Sequence, residues 1–186
     1  GTVKCSKWIY KDSVALVGDA AHAIVPFFGQ GMNSGFEDCV VLNQLLQTKN
    51  SWSKVLTDFE KIQKPNATAI AEMAVENWFE MRDKVGDAEF LLRKKIESLL
   101  EQKFPQKYKS RYGLVTYTLN SYAQAQRVGN LQDKILNELG QGIQSPDQVS
   151  LEKAEQLIDG ELSSFIKSEG LDLSTDALVA SARNKF

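Results

Sequence analysis

The chain has 186 residues, of which 42% are hydrophobic and 25% are charged. That apolar fraction is enough for a sizeable core and excludes an intrinsically disordered chain. The formal net charge is -2 at pH 7 and the lysines are scattered among acidic residues, so we expect no nucleic-acid partner. The two cysteines lack metal-ligand spacing, and no apolar run or signal-peptide pattern is present, which predicts a cytoplasmic protein with no membrane anchor in this chain.

The first element in chain order is an apolar, β-branched run at residues 14–17, which predicts a buried strand. It ends abruptly at Gly18-Asp19 and is followed by a loop-like segment with four glycines and one proline, from residue 18 to residue 35. Apolar residues at helical spacing then begin at Phe36 and continue to Leu46. Strand, glycine-rich loop and helix are therefore predicted in that order.

The rest of the chain reads as mostly helical. A helix is predicted from near Ser51, and Pro65 predicts a break or kink before a second helical segment over residues 67–82. Two further helices are predicted over residues 87–103 and 121–139, with a strand-like stretch at 115–118 in the bridge between them. Ser145-Pro146-Asp147-Gln148 combines an N-cap, proline at the first helical position and a capping-box glutamine, which predicts a terminal helix.

Chemistry concentrates after the predicted strand. Asp19 follows the strand end directly, and ligands of α/β sheets usually bind there, so Asp19 is a candidate acceptor for a polyol; an ordinary turn cap is the alternative. The run Gly29-Gln30-Gly31-Met32-Asn33-Ser34-Gly35 precedes a helix, whose backbone N–H groups favour an electron-rich ring or an anion. The run lacks the lysine of a phosphate-binding P-loop, so nucleotide hydrolysis is not indicated.

The whole run GDAAHAIVPFFGQGMNSGFEDC, residues 18–39, resembles the second flavin-binding motif of the single-component, FAD-dependent aromatic hydroxylases. The Gly-Asp, proline and Gly-x-Gly-x-Asn elements mark that family. The filling from Pro26 to Asn33 is similar to the members that hydroxylate L-kynurenine. Residues 77–82 and 112–117 resemble the substrate-side segments of those enzymes, and the resemblance covers roughly residues 8–140.

The resemblance implies FAD as the cofactor, NADPH as its reductant and O2 as the oxidant. The matching aspartate, Asp19, would bind the ribityl hydroxyls, while Met32 and Asn33 would meet the isoalloxazine through backbone groups. Pro26 and Gly31 belong to the same cofactor-binding set. No catalytic side chain and no metal ligand are implied, because the cofactor carries out the chemistry.

The resemblance also implies a substrate pocket, bordered by Phe27, Phe28 and Gln30, with core filling as the alternative for the two phenylalanines. Asn77 and Tyr112 would hold the amino-acid end of kynurenine. Asn77 also falls on an apolar helical stripe, so a buried amide bound to a backbone carbonyl is the alternative.

Two other residues of the motif at 18–39 have side chains that take part in catalysis in many enzymes. His22, the only histidine, and Cys39, on the first helix, are expected to be structural, and Cys39 is expected to be buried.

The fold expected is mostly α with a few strands: the C-terminal portion of an α/β, Rossmann-like FAD-binding monooxygenase fold plus a helical C-terminal region. Residues 1–50 are assigned to the FAD-binding domain and residues 51–186 to the helical region that contributes to the substrate pocket. We expect a fragment whose partner is the missing N-terminal half, inactive alone, because the Gly-x-Gly-x-x-Gly turn is not in this chain. Another small aromatic substrate, or a non-catalytic helical binding module, are the alternatives.

Overall fold

The computed structural model describes residues 1–174, so the predicted helical region is tested only as far as residue 174 and residues 175–186 lie outside it. The chain is mostly helical, as predicted. It divides into two units, Gly1–Met81 and a second unit from Arg82 onward, which are taken in turn.

The first unit opens with a short antiparallel hairpin. Strand β1 (Ile9–Tyr10) pairs with β2 (Val14–Ala15), so that Ile9 lies opposite Ala15. Lys11 and Asp12 between them have φ values of 48° and 52°, the left-handed geometry of a tight hairpin turn. The predicted buried strand over 14–17 is wrong in length and in burial, because β2 has two residues and Val14 is 53% exposed. A short apolar run does not reveal which of its faces is covered.

Two helices follow the hairpin. Helix α1 (Asp19–His22) occupies part of the segment predicted as loop, and helix α2 (Gly31–Thr48) begins inside the glycine-rich run rather than after it. Gly31 to Gly35 therefore form the first turn of α2. The predicted order of strand, glycine-rich segment and helix is confirmed.

Helix α3 (Trp52–Phe79) runs through Pro65 without interruption, so the prediction of two helical segments is wrong. Proline removes one backbone hydrogen bond and crowds the preceding turn, at a cost of about 3 kcal/mol. The helix is retained because one face of it is buried on both sides of the proline, including Phe59 and Ile70. A π-helical turn, Glu80–Lys84, follows.

The core of the first unit lies where the segment before β1 meets α1, α2 and α3. It is formed by Trp8, Ala21, Leu45, Val55, Phe59 and Ala67. The Trp8 ring packs against two other rings. It stacks on His22 with the ring centroids 5.0 Å apart, and its centroid lies 5.8 Å from that of Phe59. The core therefore holds the hairpin and α1 against the two long helices.

The second unit is built from five helices among the described residues. They are α4 (Ala88–Lys103), α5 (Arg111–Tyr117), α6 (Tyr122–Gly140), α7 (Leu151–Leu157) and α8 (Ser163–Ser168). The predicted helices over 87–103 and 121–139 are confirmed, with Asp87 as one N-cap and a complete Ser121–Gln124 capping box at the other. Their amphipathic spacing and caps made both visible in the sequence.

Two local predictions for the second unit are wrong. The stretch expected to be strand-like at 115–118 lies largely in α5, because Ser110 caps that helix and Leu114 is buried on it. The Ser145 capping box is present, but it caps a single 3-10 turn, Pro146–Gln148, and α7 starts later with Ser150 as its N-cap. The predicted terminal helix is interrupted, because a π-helical turn, Ile158–Leu162, separates α7 from α8; Ala154, Ile158 and Leu162 are buried as expected, while Leu151 is exposed.

Gly129 marks a close crossing of α5 over α6. A Cβ built there would overlap the Arg111 side chain, whose Nη2 donates to Asp133 Oδ2 at 2.6 Å. We expect Gly129→Ala to displace Arg111 and lower the free energy of unfolding by about 1–2 kcal/mol, as overpacking does. Chemical denaturation measures this. Gly140→Ala is the matched control, because its Cβ would lie 3.8 Å from Ile96, and its expected effect is a gain of up to about 1 kcal/mol from helix propensity. Equal effects of the two variants would contradict the prediction.

Candidate functional site

The turn between β2 and α1 presents an exposed carboxylate. Gly18 has φ 60° and ψ −140°, a conformation that only glycine adopts readily, and α1 begins at the next residue. That residue, Asp19, is exposed. Its carboxylate is therefore free of the protein core and available to hydroxyl groups of a ligand.

Directly beneath this turn lies a buried carboxylate, Asp38 of α2, which is 1% exposed. Its Oδ2 accepts hydrogen bonds from the backbone N–H of Gly18 at 2.8 Å and from Nε2 of His22 at 2.7 Å. Its Oδ1 accepts one from Nε2 of Gln63 at 3.0 Å. The Asp38 cluster, formed by Asp38, His22, Gln63 and the Gly18 amide, thus joins α1, α2 and α3.

Asp38 lies within the motif at residues 18–39, but no role was predicted for it. The signal was present, because Ser34, Asp38 and Leu45 follow helical spacing and all three are buried on one face of α2. An acidic residue on the apolar face of a helix predicts a satisfied buried carboxylate. His22 has the structural surroundings that were expected for it.

The segment from Pro26 to Gln30 forms an exposed loop before α2. Pro26 is exposed, Phe27 is 37% exposed and Phe28 is half-buried, so Phe27 does not fill the core. The Phe27 ring lies 6.1 Å from that of Trp78 on α3. Gln30 is buried, and its Oε1 accepts a hydrogen bond from Nδ2 of Asn33 at 2.8 Å.

The N-terminus of α2 follows this loop. The first intrahelical bond runs from the Ser34 N–H to the Gln30 carbonyl at 2.9 Å, so the N–H groups of Gly31, Met32 and Asn33 have no acceptor within the helix. Met32 and Asn33 are exposed, and no acidic residue lies in the first turn. The geometry leaves three donors and the positive end of the helix dipole facing outward, which suits an electron-rich ring.

The two candidate substrate residues lie in different units. Asn77, on α3 in the first unit, is half-buried, and its Nδ2 donates to the Phe27 carbonyl at 2.5 Å. Asn77 therefore binds a backbone carbonyl, as the alternative interpretation predicted. The carbonyl belongs to the loop that is expected to border the substrate pocket. Tyr112, in the first turn of α5 in the second unit, is exposed and packs edge-on against Tyr117, with the ring centroids 6.3 Å apart.

Cys39 corrects a further expectation, since it is exposed rather than buried. It follows Asp38 on α2, and a step of one residue along a helix turns the side chain by about 100°, away from the buried face.

The second unit contains two groups whose pKa values are raised by burial. Burial raises the pKa of the Tyr108 hydroxyl and of the Glu97 carboxyl. The Tyr108 hydroxyl has no hydrogen-bond partner within residues 1–174. Within those same residues, no group of three or more His, Cys, Asp or Glu side chains is arranged to hold a metal ion.

Part of the chain matches the model of a known protein family. Residues 4–74, which include the hairpin, the Asp38 cluster and α2, match the family model described as an FAD binding domain. This confirms the resemblance to FAD-dependent aromatic hydroxylases, and the donor set of an exposed carboxylate and an open helix N-terminus fits the hydroxyls and ring of a flavin. Over these residues the chain is thus similar to FAD-binding proteins.

The particular relatives are kynurenine 3-monooxygenases. The chain is 49% identical over 175 residues to that of Myxococcus xanthus, covering 94% of this chain and 38% of the relative. It is 47% identical over 139 residues to that of Flavobacterium johnsoniae, covering 74% of this chain and 31% of the relative. It is 45% identical over 174 residues to that of Dictyostelium discoideum, covering 87% and 37%. The chain therefore spans about a third of the length of these relatives.

The helices of residues 1–174 were compared with the length and hydrophobicity of a membrane-spanning helix. None of the helices in this part of the chain combines the length and the apolar character that crossing a bilayer requires.

Proposed function

We propose that the protein carrying this chain hydroxylates L-kynurenine to 3-hydroxykynurenine, with FAD as cofactor, NADPH as reductant and O2 as oxidant. The observation that carries the proposal is the placement of the exposed Asp19 carboxylate and the open N-terminus of α2 around one buried carboxylate, Asp38. The identity of 45–49% with kynurenine 3-monooxygenases supports the choice of substrate. Because the chain spans about a third of those relatives, the rest of the protein would supply the remaining FAD contacts and the Rossmann-like sheet.

In this proposal the chain's own residues hold and orient the flavin. Asp19 accepts hydrogen bonds from the ribityl hydroxyls, and the N–H groups of Met32 and Asn33 meet the isoalloxazine. Pro26 and Gly31 shape the backbone beside the ring. Bound FAD would supply the redox chemistry by which two electrons from NADPH reduce O2, so that one oxygen atom enters the substrate ring and the other leaves as water. The dipole of α2 stabilises negative charge on the reduced ring.

The loop before α2 would form one wall of the substrate pocket. Phe27 and Phe28 exclude water from the reacting centre, which favours hydroxylation over release of hydrogen peroxide. Gln30, the last residue of that loop, accepts a hydrogen bond from Asn33. Asn77 supports the loop through the Phe27 carbonyl and holds the amino-acid end of kynurenine. Residues 1–50 would thus serve the cofactor, and residues 51–186 would contribute to the pocket.

The test is kynurenine-stimulated NADPH oxidation by the full-length protein reconstituted with FAD, with 3-hydroxykynurenine and hydrogen peroxide quantified together. Hydroxylated product in step with NADPH consumption supports the proposal. NADPH consumption with peroxide as the only product points to another small aromatic substrate. Absence of flavin uptake by the full-length protein points to a helical binding module and overturns the proposal.

Asn77→Ala in the full-length protein is expected to raise the KM for kynurenine about tenfold, because one hydrogen-bonding group is lost from the substrate and the support of the Phe27 carbonyl is lost as well. Steady-state kinetics with the dissociation constant of FAD measured in parallel checks this, and the FAD constant is expected to be unchanged. Asn66→Ala is the matched control, since Asn66 lies on the same helix and its amide also donates to a carbonyl, that of Ile62. A KM equal in Asn77→Ala and wild type would speak for a different substrate.

A further inference from the structure

We propose that Asp38 is a positioning residue for FAD: its buried carboxylate sets the place of the Asp19 carboxylate relative to the N-terminus of α2. The inference rests on the proposed function, because it concerns how the flavin is held. Asp38 itself is buried beneath the turn and is not a candidate for contact with the cofactor.

One oxygen of Asp38 fixes both ends of α1. Oδ2 accepts from the N–H of Gly18, which immediately precedes α1, at 2.8 Å, and from Nε2 of His22, its last residue, at 2.7 Å. A four-residue helix has little stability of its own, so its position depends on what its ends are bound to. One carboxylate of α2 therefore binds both ends of the helix that begins with Asp19, in addition to the packing of Ala21 in the core.

The other oxygen holds α2 to α3. Oδ1 accepts from Nε2 of Gln63 at 3.0 Å, and Gln63 is also buried. The Trp8 ring stacks on His22, which leaves that imidazole little freedom to turn away from Asp38. A carboxylate that is almost fully buried and accepts three hydrogen bonds is held in a fixed arrangement, since turning away from its donors would cost these bonds with no water to replace them.

The same carboxylate acts on the backbone next to Asp19. Gly18 has φ 60° and ψ −140°, and its N–H is the one bonded to Asp38. A Cβ built at Gly35 of α2 would lie 3.8 Å from the Gly18 Cα, so the turn rests against the first turns of that helix. Asp38 follows Gly31 by about two helical turns, and a rigid helix thus links the carboxylate to the amides that would face the flavin.

The test compares Asp38→Asn with wild type in the full-length protein. Asparagine keeps the shape but turns one acceptor into a donor that faces other donors. Hydrogen exchange on the FAD-free protein is expected to rise about tenfold for the amides of Gly18, Ala21 and His22. The dissociation constant of FAD is expected to rise about tenfold or more, and the visible circular dichroism of the saturated flavin is expected to change.

Asp58→Asn is the matched control, because Asp58 lies on α3 of the same unit and pairs with Lys49 at 2.9 Å while remaining partly exposed. It should leave the exchange, the FAD constant and the flavin spectrum as in wild type. Faster exchange in Asp38→Asn with wild-type FAD affinity and spectrum would overturn the inference, since the cluster would then be structural only.

Should Asp38→Asn not fold, His22→Phe carries the test, because it removes the donor that binds the last residue of α1 to Asp38, keeps an aromatic ring against Trp8 and leaves the bonds from Gly18 and Gln63. Weaker FAD binding with an altered flavin spectrum supports the inference, and wild-type values overturn it. Failure of the wild-type protein itself to take up FAD is a separate result, which refutes the proposed function and the inference with it.

Discussion

Asp19→Ala in the full-length protein is expected to raise the dissociation constant of FAD by about 10- to 100-fold, which corresponds to the loss of hydrogen bonds from neutral hydroxyls to a charged acceptor. The carboxylate is exposed at the first residue of α1 and is not part of the core. The effect should therefore fall on ligand binding rather than on folding. Quenching of flavin fluorescence on titration with the apoprotein measures it.

Two comparisons sharpen the Asp19 experiment. Asp19→Asn keeps one acceptor oxygen and should give an intermediate constant, while Asp58→Ala removes an acidic group from α3 and should give the wild-type value. The thermal midpoint of the apoprotein should change little in all three variants. Wild-type FAD affinity in Asp19→Ala would assign Asp19 to the turn-capping alternative instead.

Phe59→Ala is expected to lower the free energy of unfolding of the 186-residue chain by about 3–5 kcal/mol, the usual cost of removing a buried phenylalanine ring. Phe59 is 0% exposed and its ring lies 5.8 Å from that of Trp8, at the centre of the first unit's core. Trp8 in turn stacks on His22 of the Asp38 cluster. A cavity there loosens the packing behind α1 as well as α3.

Urea denaturation followed by tryptophan fluorescence measures the Phe59 effect. Phe36→Ala is the matched control, because Phe36 on α2 is 61% exposed and loses little burial, so a change within about 0.5 kcal/mol is expected. Equal losses in the two variants would show that the unfolding transition does not report on this core.

Some features of the fold could be read from the sequence because their signals are local. Helices α4 and α6 have N-cap side chains followed by apolar residues at helical spacing, and both were predicted nearly to their ends. Secondary structure that depends on packing was predicted wrongly. Pro65 lies inside one helix because buried neighbours on both sides outweigh the lost hydrogen bond, and residues 115–117 are helical because Ser110 caps them.

The candidate site likewise has features that were predicted from the sequence and features that depend on packing. The sequence alone placed Asp19, the glycine-rich run and the loop from Pro26 to Gln30 next to one another, since they are neighbours along the chain and their spacing carries the family resemblance. It also predicted that the N-terminus of a helix follows this loop, although α2 begins at Gly31, inside the glycine-rich run rather than after it.

Tertiary structure alone decided which residues bind the turn before α1 and the loop before α2. The bonds from Gly18, His22 and Gln63 to Asp38 join residues 16 to 25 positions from Asp38 in sequence, and no local rule pairs them. The same holds for the bond from Asn77 to the Phe27 carbonyl, across 50 positions. A buried polar group must find a partner, and the sequence states that need, but which partner it finds depends on how the helices pack.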